Sequence, residues 1–521
     1  MTNHRDATTI PLGDGTLTCQ RLWEAARCGL DPHRRLIVEF SLAAQQRVRA
    51  AEAFVDSVMQ HRHPVYGINT GVGHFTGVPV PKNKIGELQR NLIRSHCCNV
   101  GTSLSRDVVL SMWLIRLNTI GLGHSGTRSE TIEKITALLE RGVLAVVPSR
   151  GSVGASGDLS PSAHAALTLL GEGSCTTPTF NEFREVPAHE ALRELNLEPV
   201  QLGPKEGLSL INGTQLTTSL AVKAWYEGQR LLEVANLAAA LSLEALHGSR
   251  QPIDPRVLRT HRHLGTRHCG EKIRAWLDGP SEIHDTHREV KWTQDPYSLR
   301  CAPQVHGAVW EELQQAEQTL GEEINAAADN PLLFPDDNCA LSCGNFHAIY
   351  PARVSDKLAS ALTTLASISE RRINLAMDSR RTGLPDFLVD DGGVRSGFMM
   401  AQVTAAALVS ECKSLSNPAS VDSIPTNNDQ EDHVSMGPIA GFKVLEIVDR
   451  LRYVLAIELL VATQALDLRA PKRPAERLAK VRDIIRRDVA PLTDDRVLSG
   501  DMELIARRIA EGVFDEQVHS Q

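Results

Sequence analysis

The sequence predicts a mainly α protein in which a loop-rich N-terminal domain precedes a long antiparallel helical bundle. Three observations carry that expectation. Aromatic residues are only 4% of the 521, alternating β-branched runs are scarce, and alanine and leucine dominate, which favours helix over strand. Four stretches, 216–246, 308–328, 353–377 and 438–468, run long with few breakers. Between about 61 and 205, by contrast, glycine and proline clusters interrupt the chain repeatedly.

Taken in order, the chain opens on MTNHRDATTIPLGDG, which is polar and lacks the apolar segment of a signal peptide. Next come HPVYGINTGVGHFTGVPVP and VPSRGSVGASGDLSP, the loops of the first domain. A boundary is expected near 205, dividing residues 1–205 from 206–521. Residues 216–246 would form a helix about 45 Å long at 1.5 Å per residue. Several such rods, apolar on more than one face, belong in a bundle whose central helices are buried all round. The apolar run VLAIELLVAT (454–463) is too short to span a bilayer. A soluble cytoplasmic protein with no membrane partner is the expectation.

Composition excludes some function classes. A net charge of −8 argues against nucleic acid as a partner, since such binders carry a basic excess or stripe. The ten cysteines include the adjacent Cys97 and Cys98 but no CxxC pair, which fits reduced thiols better than a zinc site or a disulfide framework. Two HxH pairs, His61/His63 and His261/His263, lack carboxylate support, and no metal is assigned. Gly71, Gly73 and Gly77 do not fit a dinucleotide fingerprint. Ser156 has Gly154 before it but Asp158 after it, so it is not a hydrolase nucleophile elbow.

The stretch GSVGASGDLS (151–160) raises the sharpest question. It reads as a plain turn opening a helix, with Asp158 or Ser160 as N-cap and Pro161 at the first helical position. It also reads as a backbone that reacts with itself. Ala155-Ser156-Gly157 is small enough for the Gly157 nitrogen to attack the Ala155 carbonyl carbon. Loss of water there, and of a second water from Ser156, leaves a five-membered ring with an exocyclic alkene. Such a ring is an electrophile, which ordinary side chains do not supply.

This stretch resembles the signature of the ammonia-lyase and aminomutase family that carries an autocatalytic methylidene-imidazolone group. The resemblance continues through YGINTGVG (66–73), LQRNLIRSH (88–96), EGLSLINGTQ (206–215), QDPYSLRCAPQVHG (294–307), ADNPLLF (328–334), GNFH (344–347), ISERRI (368–373), SGFMMAQVTAAALVSE (396–411) and QEDHVSMG (430–437). It implies a fold like that of L-aspartase and fumarase, a ring formed from Ala155, Ser156 and Gly157 with no external cofactor, and a homotetramer whose active sites are shared between subunits.

The same resemblance implies roles. Tyr66 would be the base for the β-proton, for which a phenol needs a lowered pKa. Arg300 would clamp a substrate carboxylate, as a guanidinium does well. Tyr297, placed among the catalytic residues, and Gln294 would line the same site. Asn212 would hold the substrate and the modified tripeptide, and Phe346 would pack beside the substrate. Glu431 and His96 are similar to the branch acting on histidine, which converts L-histidine to trans-urocanate and ammonia. A carboxylate pairs with an imidazole but is costly against a benzene ring, where relatives usually carry glutamine. The alternatives kept open are a tyrosine or phenylalanine ammonia-lyase, a 2,3-aminomutase, or an inactive helical scaffold. CCNVG after His96, AIYPAR after GNFH, and Pro296 before Tyr297 depart from the usual pattern near the expected pocket.

Overall fold

The computed structural model describes residues 7–60, 64–286 and 293–515. The four long runs are helices: Gln215–Ala245, Ala302–Ile324, Ile349–Ala376 and Gly437–Asp467. The second begins earlier than the sequence suggests. Pro303 falls in its first turn, where a helix has no use for the missing N–H. Among the described residues no helix is long and apolar enough to cross a membrane.

The expected sequential division at 205 and the compactness of the chain differ in kind. One compact unit gathers Met1–Tyr226, Glu317–Asp356 and Pro418–Phe442; the other gathers Glu227–Ala316, Lys357–Asn417 and Lys443–Gln521. The long helices explain the interleaving, because each of Gln215–Ala245, Ile349–Ala376 and Gly437–Asp467 contributes to both units.

The first unit is less loop-dominated than its glycines suggest. Helices Leu42–Val58, Ile85–His96, Arg106–Gly121 and Ser129–Glu140 stand between the loops. Arg106–Gly121 is buried from Asp107 to its end, its polar residues Asp107, Arg116 and Asn118 included, so this helix is enclosed on every face. The strands are short. Ala7–Leu12 pairs parallel with Arg35–Phe40, Ala7 opposite Arg35. Ser174–Pro178 pairs antiparallel with both Leu144–Ala145 and Phe183–Pro187.

In the second unit a buried polar cluster ties three helices together. Glu458 accepts hydrogen bonds from Ser242, Ser369 and the Arg372 guanidinium. Arg372 and Glu458 have almost no exposure, and the two serines add hydrogen bonds to the carboxylate, which offsets the desolvation of a buried pair. Arg372 also donates to the Ser298 carbonyl at 3.3 Å, fixing the short helix Tyr297–Arg300.

Candidate active site

The loop 151–158 is held by two segments of the first unit. On one side Gly157 bridges Gly213, and Asp158 N–H donates to the Gly213 carbonyl at 2.7 Å. On the other, Met436 N–H donates to the Val153 carbonyl at 2.9 Å, and Ser435 Oγ donates to the Gly154 carbonyl at 3.2 Å. Val153 and Ala155 pack on Ala419, Val434, Met436 and Ala440. Gly157 has φ +72°, and a Cβ there would stand 2.2 Å from the Gly213 carbonyl oxygen. Only glycine fits so close an approach in that conformation.

The helix after this loop starts at Leu159 with Asp158 as N-cap residue, so Pro161 is its third residue rather than its first. Asp158 makes no side-chain cap. Its carboxylate accepts instead from Thr217 N–H at 2.8 Å and Thr217 Oγ1 at 2.9 Å. Burial pushes the Asp158 carboxyl up to about 7, against those two donors.

A cavity of about 400 Å³ opens over the loop. Tyr66, Ala155, Ser156, Asn212, Phe346 and Glu431 line it, so the structure brings six of the sequence candidates together. Glu431 is the most tightly specified. Its Oε1 accepts from Ser156 Oγ at 2.8 Å and its Oε2 from Thr426 Oγ1 at 2.7 Å. Asn212 Nδ2 donates to the Ser156 carbonyl at 2.9 Å, while Asn212 Oδ1 is buried with no partner among the described residues.

Tyr66 differs from expectation in its electrostatics. Burial raises its pKa, Gly73 N–H donating to the phenol oxygen at 3.2 Å opposes this, and the charge of Glu431 raises it further. The lowered pKa expected of a base does not arise from these groups. His96 ends the helix Ile85–His96, half-buried, with Nδ1 2.8 Å from the Leu92 carbonyl. That contact puts the proton on Nδ1 and leaves Nε2 as acceptor. Burial lowers its pKa and Glu431 raises it.

Gln294, Tyr297 and Arg300 belong to the other compact unit and do not line this cavity. Tyr297 is 70% exposed, the Arg300 guanidinium stacks over its ring at 4.7 Å, and Arg300 Nε donates to the Asp295 carbonyl. His61 and His63 lie outside the described residues. His263 Nδ1 is 3.2 Å from Glu311, and no group of three or more potential metal ligands occurs among the described residues.

Beneath the loop lies a cluster the sequence reading did not single out. Asp329 Oδ2 accepts from Arg116 at 3.0 Å and from Lys205 at 3.1 Å, all three buried. Arg116 also donates to the backbone carbonyls of Asn212 and Ala328. Cys343, His347 and His433 join the cavity wall, and His347 Nε2 lies 3.3 Å from the His433 carbonyl. The motifs GNFH and QEDH contained His347 and His433, but charge and aromaticity alone gave no sign that these two meet.

The sequence matches the family model described as aromatic amino acid lyase over residues 17–487. It is 45% identical over 516 residues to a histidine ammonia-lyase of Anaeromyxobacter dehalogenans, covering 97% of this chain and 99% of that one. The fold superposes on the crystal structure of histidine ammonia-lyase from Trypanosoma cruzi with a TM-score of 0.88 and 39% identity, covering 98% of this chain and 95% of that one. It superposes on tyrosine aminomutase from Streptomyces globisporus with a TM-score of 0.90 and 33% identity, covering 98% of each chain.

Proposed function

The chain belongs to the aromatic amino acid lyase family, and from that premise we propose that this carbon–nitrogen lyase converts L-histidine to trans-urocanate and ammonia. The observation that carries the reading is the Glu431 carboxylate, 2.8 Å from Ser156 Oγ and facing the same cavity. An imidazole N–H matches that oxygen, whereas a benzene ring would leave a desolvated charge unpaired.

The residues fit a methylidene-imidazolone made from Ala155, Ser156 and Gly157. The tight bridge of Gly157 to Gly213 leaves no space for a side chain, and Asn212 Nδ2 sits on the carbonyl of Ser156. Ring closure joins the Gly157 nitrogen to the Ala155 carbonyl carbon. One water leaves with the Ala155 oxygen and the two amide hydrogens of Ser156 and Gly157. A second leaves with Ser156 Oγ, its own hydrogen and the Ser156 Cα hydrogen. When formed, the group supplies an electron-poor alkene, the electron sink that a departing ammonium needs.

The chain's other residues bind and move protons. Glu431 Oε1, free once Ser156 has lost its hydroxyl, accepts from the imidazole. Asn212 Oδ1, buried and with no partner among the described residues, accepts from the substrate amine. Phe346 and His96 flank the ring of the substrate. Tyr66 Oη takes the β-proton, Arg300 binds the carboxylate, and Tyr297 and Gln294 complete that end of the site. A guanidinium beside the Tyr66 phenol would offset the upward push of burial on it.

In this reading a second copy of the chain supplies Gln294, Tyr297 and Arg300, and the protein works as a homotetramer in the cytoplasm. Exposed apolar side chains on the helix Met399–Leu415, Met400 and Val403 among them, suit such association.

The test is a substrate panel on purified protein. L-Histidine should give the absorbance of a conjugated acrylate, with L-tyrosine and L-phenylalanine slow or inert. A β-amino acid product from tyrosine would favour the aminomutase reading, which the likeness to tyrosine aminomutase keeps in view.

A further inference from the structure

Glu431 closes a tight hairpin that begins at Thr426. Thr426 N–H donates to the Glu431 carbonyl at 3.0 Å, and Glu431 N–H donates to the Thr426 carbonyl at 3.3 Å. Between them Asn427, Asn428 and Asp429 have φ of 54°, 52° and 60°. Three consecutive non-glycine residues in the left-handed region are costly, and asparagine and aspartate bear that conformation best. Strain of this kind persists where the surroundings over-determine it.

The surroundings here are specific. The Asn427 side chain lies against Gly73, where an added Cβ would stand 2.7 Å from Nδ2. Gly73 in turn donates to the Tyr66 phenol. The hairpin is thus fitted to the Tyr66 loop. It also folds the chain back so that the Thr426 hydroxyl reaches Glu431 Oε2 at 2.7 Å, while Oε1 meets Ser156 Oγ at 2.8 Å.

We propose that Thr426 is a specificity-determining positioning residue, whose hydroxyl fixes Glu431 Oε2 so that Oε1 alone is presented to an imidazole N–H. This rests on the reading of Glu431 as the imidazole partner. A glutamate side chain has three rotatable bonds, and a bound substrate must otherwise order them itself. A hydrogen bond to a charged acceptor is also among the stronger ones. A phenyl or phenol substrate gains nothing from this arrangement, so its loss falls on histidine.

The experiment compares Thr426→Val with Thr426→Ser. Valine keeps the β-branched shape and the backbone bonds of the hairpin, and serine keeps the hydroxyl. Thr426→Val should raise KM for L-histidine about tenfold or more while changing kcat less than about threefold, the signature of lost uniform binding. Its preference for histidine over tyrosine should fall in step, and Thr426→Ser should restore both. Intact mass should show full dehydration of the tripeptide in both variants, which separates positioning from failed maturation. A KM within about twofold of the unaltered protein, or equal losses in the valine and serine variants, overturns the proposal. If the unaltered protein turns over histidine normally in that experiment, the substrate reading survives that failure; if it does not, both fall.

Discussion

The Asn212 side-chain amide donates to the Ser156 carbonyl at 2.9 Å, and Asn212 is held in turn by Arg116 through its backbone carbonyl at 2.9 Å. The grip on the reactive loop therefore leads back to a buried charge cluster. Asp329 is the carboxylate shared by Arg116 and Lys205, and burial disfavours charge on both cations.

Removing that carboxylate should be severe. Asp329→Ala leaves two buried cations uncompensated and should cost about 3–5 kcal/mol, read from the urea unfolding midpoint. Lys84→Ala, which breaks the exposed pair with Glu87, should cost no more than about 1 kcal/mol. Equal shifts in the two variants would contradict a supporting role for the cluster.

Ser156→Ala should fold and assemble as the unaltered protein does, because Ser156 is only partly buried and, among the described residues, its hydroxyl bonds to Glu431 only. Turnover of histidine should fall to background, since no alkene carbon can form without the serine oxygen as leaving group. Near-normal kcat for this variant would remove the tripeptide from the chemistry.

Glu431→Gln keeps the shape and the Thr426 contact while removing the charge. Its kcat/KM for histidine should fall by about 10- to 100-fold, as expected for losing a hydrogen bond to a charged group. An unchanged kcat/KM would take Glu431 out of the substrate site.

The long helices and the six residues around the cavity were legible in the sequence for different reasons. Helix 215–245 shows itself by thirty-odd residues without proline, a local property. Ser156, Tyr66 and Glu431 were legible through motifs, because nothing local to residue 431 announces that it meets residue 156. The cluster of Arg116, Lys205 and Asp329 was not, since three charged residues far apart in the chain read as surface until the fold buries them. Thr426 escaped because its role comes from a left-handed turn of Asn427, Asn428 and Asp429, which composition marks only as a loop. The rise in the Tyr66 pKa follows from burial, which no motif encodes.

Asp158 offers a pH test. Its carboxyl is raised from 3.8 to about 7 in the folded protein. The folded state then binds more protons than the unfolded chain between those values. Stability from this group is fully present below the lower value and is lost as pH rises through the higher one. Asp158→Asn removes the titration, so the Tm of the variant relative to the unaltered protein should climb from about pH 4 to about pH 7 and then level off. Parallel Tm profiles across that window would contradict the burial of an ionisable carboxyl there.

Intact mass spectrometry of the freshly purified protein tests the central claim most directly. If Ala155, Ser156 and Gly157 condense as proposed, the chain should weigh about 36 Da less than its sequence, two waters, with Ser156→Ala at its full sequence mass. A fully folded, active protein at the undiminished sequence mass would contradict it.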